Sequence, residues 1–291
     1  MLKEITMFVT YPPSTILRPY VAFYYVMKCC KKDYKDTISE FCLPSGFCHM
    51  VFHSCGSFDI IQDNKKQKLP KFYTVGQQTQ RYYLNSDFDF VDLIGVTFKP
   101  TGLWHFFGMD MSTVTDKVIS TTSLFGGKIK KFTGQFDFNQ ELDARIELIE
   151  NLLIDELLTV QPQLKVIDSA VQRIHETYGC CSITELVNYL GISERYFQKN
   201  FKKMIGITPN AYKRIVRFNF MFSETKKDAP LDCQTLSALC NYYDLAHFSK
   251  DFKKYCGVCP SQFHMNELDL FQELMASKAF VSKAVENSSY N

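Results

Sequence analysis

The chain has 291 residues, of which 46% are hydrophobic and 22% charged, a composition typical of a globular protein of about two domains. It holds no apolar run of the roughly 18 residues that would cross a bilayer, and its first residues lack the basic-then-apolar order of a secretory signal. A membrane-spanning helix is therefore excluded. We expect a cytoplasmic protein that makes no membrane contact and whose 11 cysteines are reduced thiols.

The net charge of +2 is unevenly distributed along the chain. Residues 1–164 carry 17 Lys and Arg against 18 Asp and Glu, residues 165–264 carry 14 against 9, and residues 265–291 carry 2 against 4. The segment with a net charge of +5 therefore lies between two nearly neutral or acidic ones. This distribution favours a polyanion as the partner of residues 165–264.

The first 160 residues predict a β-rich domain with some helices. Short apolar and aromatic runs such as CHMVFHS (48–54) and DLIGVTF (92–98) alternate with turn-like segments, which indicates closely spaced strands in a barrel-like or sandwich arrangement. Helices begin after about residue 101, and leucine and isoleucine at three- and four-residue steps predict an amphipathic helix over 139–159. Pro162 marks the expected boundary after it.

Residues 165–264 have a helical pattern throughout, and within them one unit occurs twice. Residues 193–212 align without a gap on residues 244–263. The matched pairs are Phe197/Phe248, Lys199/Lys250, Phe201/Phe252, Lys202/Lys253, Lys203/Lys254, Gly206/Gly257 and Pro209/Pro260. After the second copy, residues 265–291 predict one more helix followed by a frayed end.

Each copy predicts a helix with one aromatic face and one basic face. At about 100° per residue, Phe197 and Phe201 fall opposite Lys199 and Lys203 in a helix over 193–205 that Ser193 caps. The second helix, over 244–256, has the same arrangement. A shorter helix precedes each copy, with Leu186, Val187 and Leu190, then Leu236, Leu239 and Cys240, predicted to face inward.

Gly191 and Asn241 end these shorter helices, and both residues accept a positive φ. Helix, tight turn and second helix with a basic face form a helix-turn-helix unit, whose second helix fits the major groove of DNA. The apolar spacing of residues 209–225 predicts a connecting helix of about 24 Å. Two such units on one rod predict a protein that reads two successive major grooves, about 34 Å apart.

The segment 165–264 resembles the DNA-binding domain of the AraC-type transcription regulators, which carries two helix-turn-helix units joined by a long helix. The most specific matches are GITPNAY (206–212) and NYYDLAHFSKDFKKYCGVCPSQF (241–263). The resemblance implies an all-α, homeodomain-like domain behind the β-rich one, an α+β protein overall, and transcription activation by recruitment of RNA polymerase. Asn241 departs from the family pattern, in which glycine is usual.

The same resemblance places base contacts in the first two turns of each second helix. In this chain those positions are Arg195, Gln198, Lys199, Leu245, Ala246, His247 and Lys250. Lys202, Lys203, Lys253 and Lys254 lie further along and are expected to contact phosphates. Leu245 and Ala246 hydrogen-bond poorly, so the second helix is expected to use apolar contact with thymine methyl groups.

The N-terminal segment also resembles a domain that precedes this DNA-binding domain in some AraC-type proteins. The matching pieces are YPPSTILRPYVAFYY (11–25), LPSG (43–46), VGQQT (75–79) and GVTFKPTG (95–102). By analogy residues 1–160 are a sensory or dimerising domain that takes an unknown small-molecule effector. The helix over 139–159 either pairs with its twin in a homodimer or packs on its own domain.

Three N-terminal side chains are candidates for a ligand or metal site. His49 and His53 are four residues apart in a strand and so share a face, but no third metal ligand is evident. The third candidate, Trp104, lies beside His105 in an apolar helix. Cys256 and Cys259 have zinc spacing without a partner pair, which favours packing roles.

Nucleotide-binding glycine motifs and a nucleophile elbow are absent, so we expect neither a cofactor nor enzyme activity.

Two alternatives stay open beside a regulator with an effector. One is a metal-dependent barrel enzyme fused to a DNA-binding module. The other is a DNA-binding protein without an effector, in which the N-terminal domain only dimerises.

Overall fold

The N-terminal half consists mainly of β-strands. The computed structural model describes residues 7–34, 37–137, 139–157, 165–223, 232–263 and 269–276. Its strands are β1 (Met7–Tyr11), β2 (Val21–Cys30), β3 (Ile38–Cys42), β4 (Cys48–Cys55), β5 (Asp59–Gln62), β6 (Lys65–Lys68), β7 (Phe72–Val75), β8 (Tyr82–Ser86), β9 (Phe90–Phe98) and β10 (Val118–Ser120).

These strands form two antiparallel sheets. The larger has the order β1-β2-β9-β4-β7-β10 and the smaller has the order β3-β8-β5-β6. Within the larger sheet Tyr25 of β2 pairs with Gly95 of β9. A Cβ atom at Gly95 would lie 2.0 Å from the Tyr25 ring, so only glycine leaves room for that ring.

The central strands β2, β4 and β9 of the larger sheet are buried on both faces, which explains why the sequence of β2 is apolar almost without interruption. Phe23, Tyr25 and Met27 point between the two sheets and belong to one apolar cluster. Tyr24 and Val26 point to the opposite face and belong to a second cluster that includes the helices.

Apart from α1, which precedes β10, the helices follow the strands along the chain. They are α1 (Gly102–Phe107), α2 (Thr121–Phe125), α3 (Lys128–Gln135), α4 (Leu142–Leu157), α5 (Lys165–Glu176), α6 (Ile183–Leu190), α7 (Glu194–Ile205), α8 (Pro209–Ser223), α9 (Cys233–Leu239), α10 (Leu245–Cys256) and α11 (Asp269–Ala276). An antiparallel sheet domain followed by a helical domain confirms the α+β class.

Helix α4 lies within the predicted span 139–159 and packs on its own sheet domain. Ile149 and Leu153 are fully buried. Arg145 donates a hydrogen bond to the Ser54 hydroxyl at 3.0 Å, and the Glu150 carboxylate accepts one from the Ser14 backbone N–H at 2.7 Å. The apolar stripe that could have paired with a twin is therefore covered in the monomer. Pro162 lies outside the described residues.

The tail helix predicted after the second repeat is α11, and it returns to the sheet domain. Leu270 is 5% exposed and belongs to the cluster between the sheets. Helix α11 contacts β3 and α8. The predicted frayed end lies outside the described residues.

Candidate nucleic-acid interface

Helices α6 and α7 form the first helix-turn-helix unit. Ser182 and Glu185 form a capping box at the start of α6, and Gly191 ends it at φ 64°. The Ser193 hydroxyl then accepts a hydrogen bond from the Tyr196 N–H and caps α7, as predicted. Three local signals in the sequence, two caps and a glycine, thus fix the turn between the helices.

Helices α9 and α10 repeat this geometry with different residues. Asp232 caps α9, Asn241 takes the positive φ (51°) predicted for the turn, and the Asp244 carboxylate caps α10 by accepting a hydrogen bond from the His247 N–H. One inward residue was predicted wrongly: Leu239 is 52% exposed, and Ser237 is buried. Because α9 ends at Leu239 and Cys240 is already the C-cap, the helical periodicity does not carry Leu239 into the core.

The two second helices are anchored by their aromatic faces. In α7 Phe197 and Phe201 are fully buried, and in α10 Phe248 and Phe252 are 1% exposed or less. Phe218 of α8 packs against Phe252 and Tyr255, so the connecting helix is shared by the core of the second unit. This packing leaves the opposite faces of α7 and α10 free to present polar side chains.

Those opposite faces carry the predicted contact residues. The exposed ones are Arg195, Gln198, Lys199, Lys202, Lys203, Leu245, Ala246, Lys250, Lys253 and Lys254. His247 is half-buried, since its ring packs edge-on against Tyr242. Gln198 donates a hydrogen bond to the Glu194 carboxylate at 2.6 Å, which leaves its second N–H and its carbonyl oxygen for other partners.

An acidic side chain of the sheet domain lies near the end of α7. The pKa of Asp110 is lowered, chiefly by the hydrogen bond from the Ser112 hydroxyl and further by the charges of Lys203 and Lys202. Lys202 and Lys203, two of the predicted phosphate contacts, therefore lie in the electrostatic field of a carboxylate that belongs to the N-terminal domain. Nothing in the sequence identifies this neighbour, because it comes from a distant part of the chain.

Helix α8 joins the two units, as predicted, and it is also held by the sheet domain. The Asn219 amide donates to the Ser45 carbonyl at 2.9 Å. A Cβ atom at Gly46 would lie 3.4 Å from the Tyr212 ring, so the turn between β3 and β4 packs directly on α8. The LPSG segment is thus a contact between the two halves of the chain, a role that its turn-forming composition does not reveal.

Helix α5 makes a further polar contact with the sheet domain. The Asp168 carboxylate accepts a hydrogen bond from the Thr101 hydroxyl, and the His105 Nε2 atom lies 3.3 Å from its other oxygen. The helical domain is therefore attached to the sheet domain through hydrogen bonds at α5 and α8.

A small cavity of about 50 Å³ lies between the two sheets. His49 and Val51 of β4 line it, together with residues of the smaller sheet. The His49 ring is hydrogen-bonded to Ser45 and Thr97 at 3.3 Å each, and burial lowers its pKa to about 4. The ring is neutral near pH 7.

The other two N-terminal candidates do not line this cavity. His53 is fully buried between the rings of Phe58 and Tyr73, and burial lowers its pKa to about 4. Trp104 is 9% exposed in the cluster between the larger sheet and the helices. His49 and His53 do share the face of β4 that points between the sheets, but only His49 reaches the cavity.

Within the described residues there is no group of three His, Cys, Asp or Glu side chains that could hold a metal ion. The described helices include none that is long and apolar enough to span a membrane.

Two family models match the chain. Residues 9–120 match a domain of unknown function (DUF6597), and residues 186–266 match a helix-turn-helix domain. The second match begins within α6 and covers the rest of both units described above. No curated protein matches the chain.

Among solved structures, similar ones include two of ToxT from Vibrio cholerae. A structure of unsaturated fatty acid bound wild-type ToxT aligns over 92% of this chain and 98% of its own, with 12% identity and a TM-score of 0.45. A second ToxT structure aligns over 84% of this chain and 98% of its own, with 12% identity and a TM-score of 0.44. The AraC-like transcriptional activator CuxR aligns over 69% and 74%, with 14% identity and a TM-score of 0.23.

The helix-turn-helix match and the paired units with capped, basic helices agree with the family pattern seen in the sequence. Residues 9–120 are therefore a DUF6597 domain, and residues 186–266 are a helix-turn-helix domain that is similar to the AraC-type one.

Proposed function

We propose that this protein reads two successive major grooves on one face of a DNA duplex, with helix 193–205 in the first groove and helix 244–256 in the second. The observation that supports this most is the equivalence of α7 and α10. Each is capped at its N-terminus, anchored by two buried phenylalanines and exposed along a basic face. Solvation alone needs no such repeat at fixed spacing.

Within this proposal the exposed side chains have two roles. Arg195, Gln198, Lys199, Leu245, Ala246, His247 and Lys250 would contact base edges in the major groove. Lys202, Lys203, Lys253 and Lys254, nearer the C-terminal ends of the helices, would contact phosphates. The half-buried His247 has the least freedom to move, so its contact would depend on how closely α10 approaches the DNA.

The domain division is part of the same proposal. Residues 1–160 would form a sensor or dimerisation domain, residues 165–264 the DNA-binding domain, and residues 265–291 a tail that contains α11. Transcription activation would proceed by contact with RNA polymerase. Hydrogen bonds from Asn219 to Ser45 and from Thr115 to Gly206 join the two domains and would transmit a change in one to the other.

A small molecule bound in the N-terminal domain would modulate DNA binding, since a ligand shifts an equilibrium by its differential affinity for two states. We place such a ligand at the cavity that His49 lines, which would have to enlarge to admit it. A homodimer is compatible with this scheme, although α4 already uses its apolar stripe within the monomer.

A regulator without an effector is the second candidate, and the small volume of the cavity favours it. Thermal unfolding of the protein across a broad panel of metabolites separates the two. A rise in melting temperature with one compound supports an effector, and an unchanged melting temperature across the panel favours the second candidate.

Selection from sheared genomic DNA tests the two-groove proposal directly. The purified protein is mixed with the fragments at about 150 mM salt, where nonspecific phosphate contacts are weakened, and the retained fragments are sequenced. Enrichment of a few sites, each with two short blocks about one helical turn apart, is the expected result. Retention without enrichment that disappears as the salt concentration rises would overturn it.

A further inference from the structure

Helix α11 covers the cavity between the two sheets. Leu270 and Leu274 stand one helical turn apart and both line the cavity, together with residues of β4 and the smaller sheet. Leu270 belongs to the same apolar cluster as Tyr73 and Leu84. Leu270 and Leu274 thus pack against the apolar core of the N-terminal domain.

The cavity that remains beneath α11 is too small for a metabolite. Its volume of about 50 Å³ would hold a few water molecules, whereas small-molecule sites measure roughly 300–1,000 Å³. The two leucine side chains occupy space that would otherwise be continuous with it. Removing them is the most direct way to enlarge the site.

The chemistry of the wall defines what could take their place. The described residues that line the cavity include no Lys, Arg, Asp or Glu. Its polar groups are neutral: Ser45, the His49 ring, and the hydroxyls of Tyr25, Tyr73 and Tyr82, whose pKa values burial raises. A carboxylate or phosphate would lose its hydration here without gaining a cation. An uncharged apolar molecule with one hydrogen-bonding group fits this wall.

We propose that α11 is a tethered lid whose Leu270 and Leu274 occupy the effector site, so that an uncharged apolar effector binds only by displacing them. This inference rests on the proposed modulation by a small molecule. The lid and the effector exclude each other. The larger the fraction of molecules with a closed lid, the lower is the apparent affinity for the effector. Helix α11 follows the second helix-turn-helix unit in the chain and contacts α8. Because α8 packs against α10, displacement of α11 would change the contacts that support α10.

Binding of an uncharged fluorescent probe, N-phenyl-1-naphthylamine, tests the lid in the full-length protein. The test variant is Leu270→Ala/Leu274→Ala, and the control is Glu273→Ala, which changes an exposed side chain of the same helix. We expect the double variant to bind the probe about 10-fold or more tightly than the wild type, since burial of two leucines favours the closed lid. The control should bind it as the wild type does.

Alkylation by N-ethylmaleimide, followed by peptide mass spectrometry, gives a second readout that needs no ligand. Cys42 lines the cavity beneath α11 and should react faster in the double variant. Cys55 is exposed and should react equally in every variant. Cys48 and Cys240 are fully buried away from the cavity, and their protection confirms that the variant is folded.

If the double variant and the wild type bind the probe equally tightly and Cys42 is alkylated equally fast in both, α11 is not a lid. A different outcome is that Cys42 reacts faster in the double variant while no variant binds the probe. The site would then not bind an uncharged apolar molecule as we propose, and the result would count against modulation by a small molecule. DNA selection as described above is independent of both results, so failure of the lid and failure of DNA reading are separable.

Discussion

Gly206 and Gly257 end α7 and α10 at equivalent positions of the repeat, and both lie against the sheet domain. The Gly206 carbonyl accepts a hydrogen bond from the Thr115 hydroxyl at 2.8 Å. At Gly257 an added Cβ atom would lie 2.3 Å from the guanidinium carbon of Arg81. Thr79, two residues before Arg81, donates two hydrogen bonds of 2.6 Å to Asp116, next to Thr115. One linked pair of loops therefore supports both DNA-facing helices.

Replacing Gly206 by alanine should cost more stability than the left-handed conformation alone explains. Gly206 has φ 101°, and a Cβ atom would lie 2.8 Å from the Thr115 hydroxyl and 3.0 Å from the Met111 carbonyl oxygen. Gly191 is the matched control, because it has φ 64° with nothing within 4 Å of a Cβ atom. We expect Gly191→Ala to lose about 1 kcal/mol and Gly206→Ala at least about 1 kcal/mol more. Urea denaturation measures both; equal losses would show that the loop yields freely.

Arg81 and Gly257 should be energetically coupled. The guanidinium lies at the negative end of α10, where a cation is favourable, and an alanine side chain at Gly257 would displace it. The cost of Gly257→Ala should therefore fall by about 0.5–1 kcal/mol in the Arg81→Ala background. A double-mutant cycle in urea measures this coupling. The pair Arg81→Ala and Gly191→Ala should be additive, and additivity of both cycles would contradict the contact.

Lys199→Ala and Lys203→Ala should affect DNA binding in different ways. We expect Lys199→Ala to relax sequence preference, because we assign a base contact to its side chain. Lys203→Ala should weaken binding to all sequences alike and reduce the salt slope by about 1, as loss of one phosphate contact does. Titrations of a selected site and of a scrambled site over a salt series distinguish them. If both variants lose affinity uniformly, the assignment of base and phosphate contacts is wrong.

Local signals predicted the helical domain well. Caps, turn residues and aromatic spacing lie within a few residues of the structure they determine, so Ser193, Gly191 and Asn241 have the roles expected of them. Leu239 is the exception, because burial at the end of a short helix depends on where that helix stops.

Contacts between distant segments could not be predicted in this way. The approach of Arg81 to Gly257, and of α11 to the cavity, joins segments that no periodicity links. Composition also could not show that Trp104 packs on the far side of the larger sheet from His49, since both sit in apolar runs. Strand alternation correctly placed His49 and His53 on one face, but it could not show that only His49 reaches the cavity.

Stability should decrease as the pH is lowered from about 6.5 to about 4. Burial lowers the pKa of His49, His53 and His175 to about 4 in the folded protein, with a contribution from Lys71 at His53. The unfolded chain binds protons at these rings below about pH 6.5, whereas the folded chain does not until about pH 4. Lowering the pH through this window therefore favours unfolding, by at most about 1.4 kcal/mol per pH unit for each ring.

His175→Gln isolates one of these rings. The His175 Nε2 atom lies 2.8 Å from the Tyr212 hydroxyl, and a glutamine amide can keep that hydrogen bond without titrating. Urea unfolding at pH 7, 6 and 5 should then show a smaller loss of stability for His175→Gln than for the wild type. The slope of the unfolding free energy against pH should fall by the equivalent of up to one proton. Asn188→Gln, an exposed change on α6, should keep the wild-type slope. A wild-type slope in His175→Gln would mean that this imidazole gains no protons on unfolding, and that water reaches it in the folded protein.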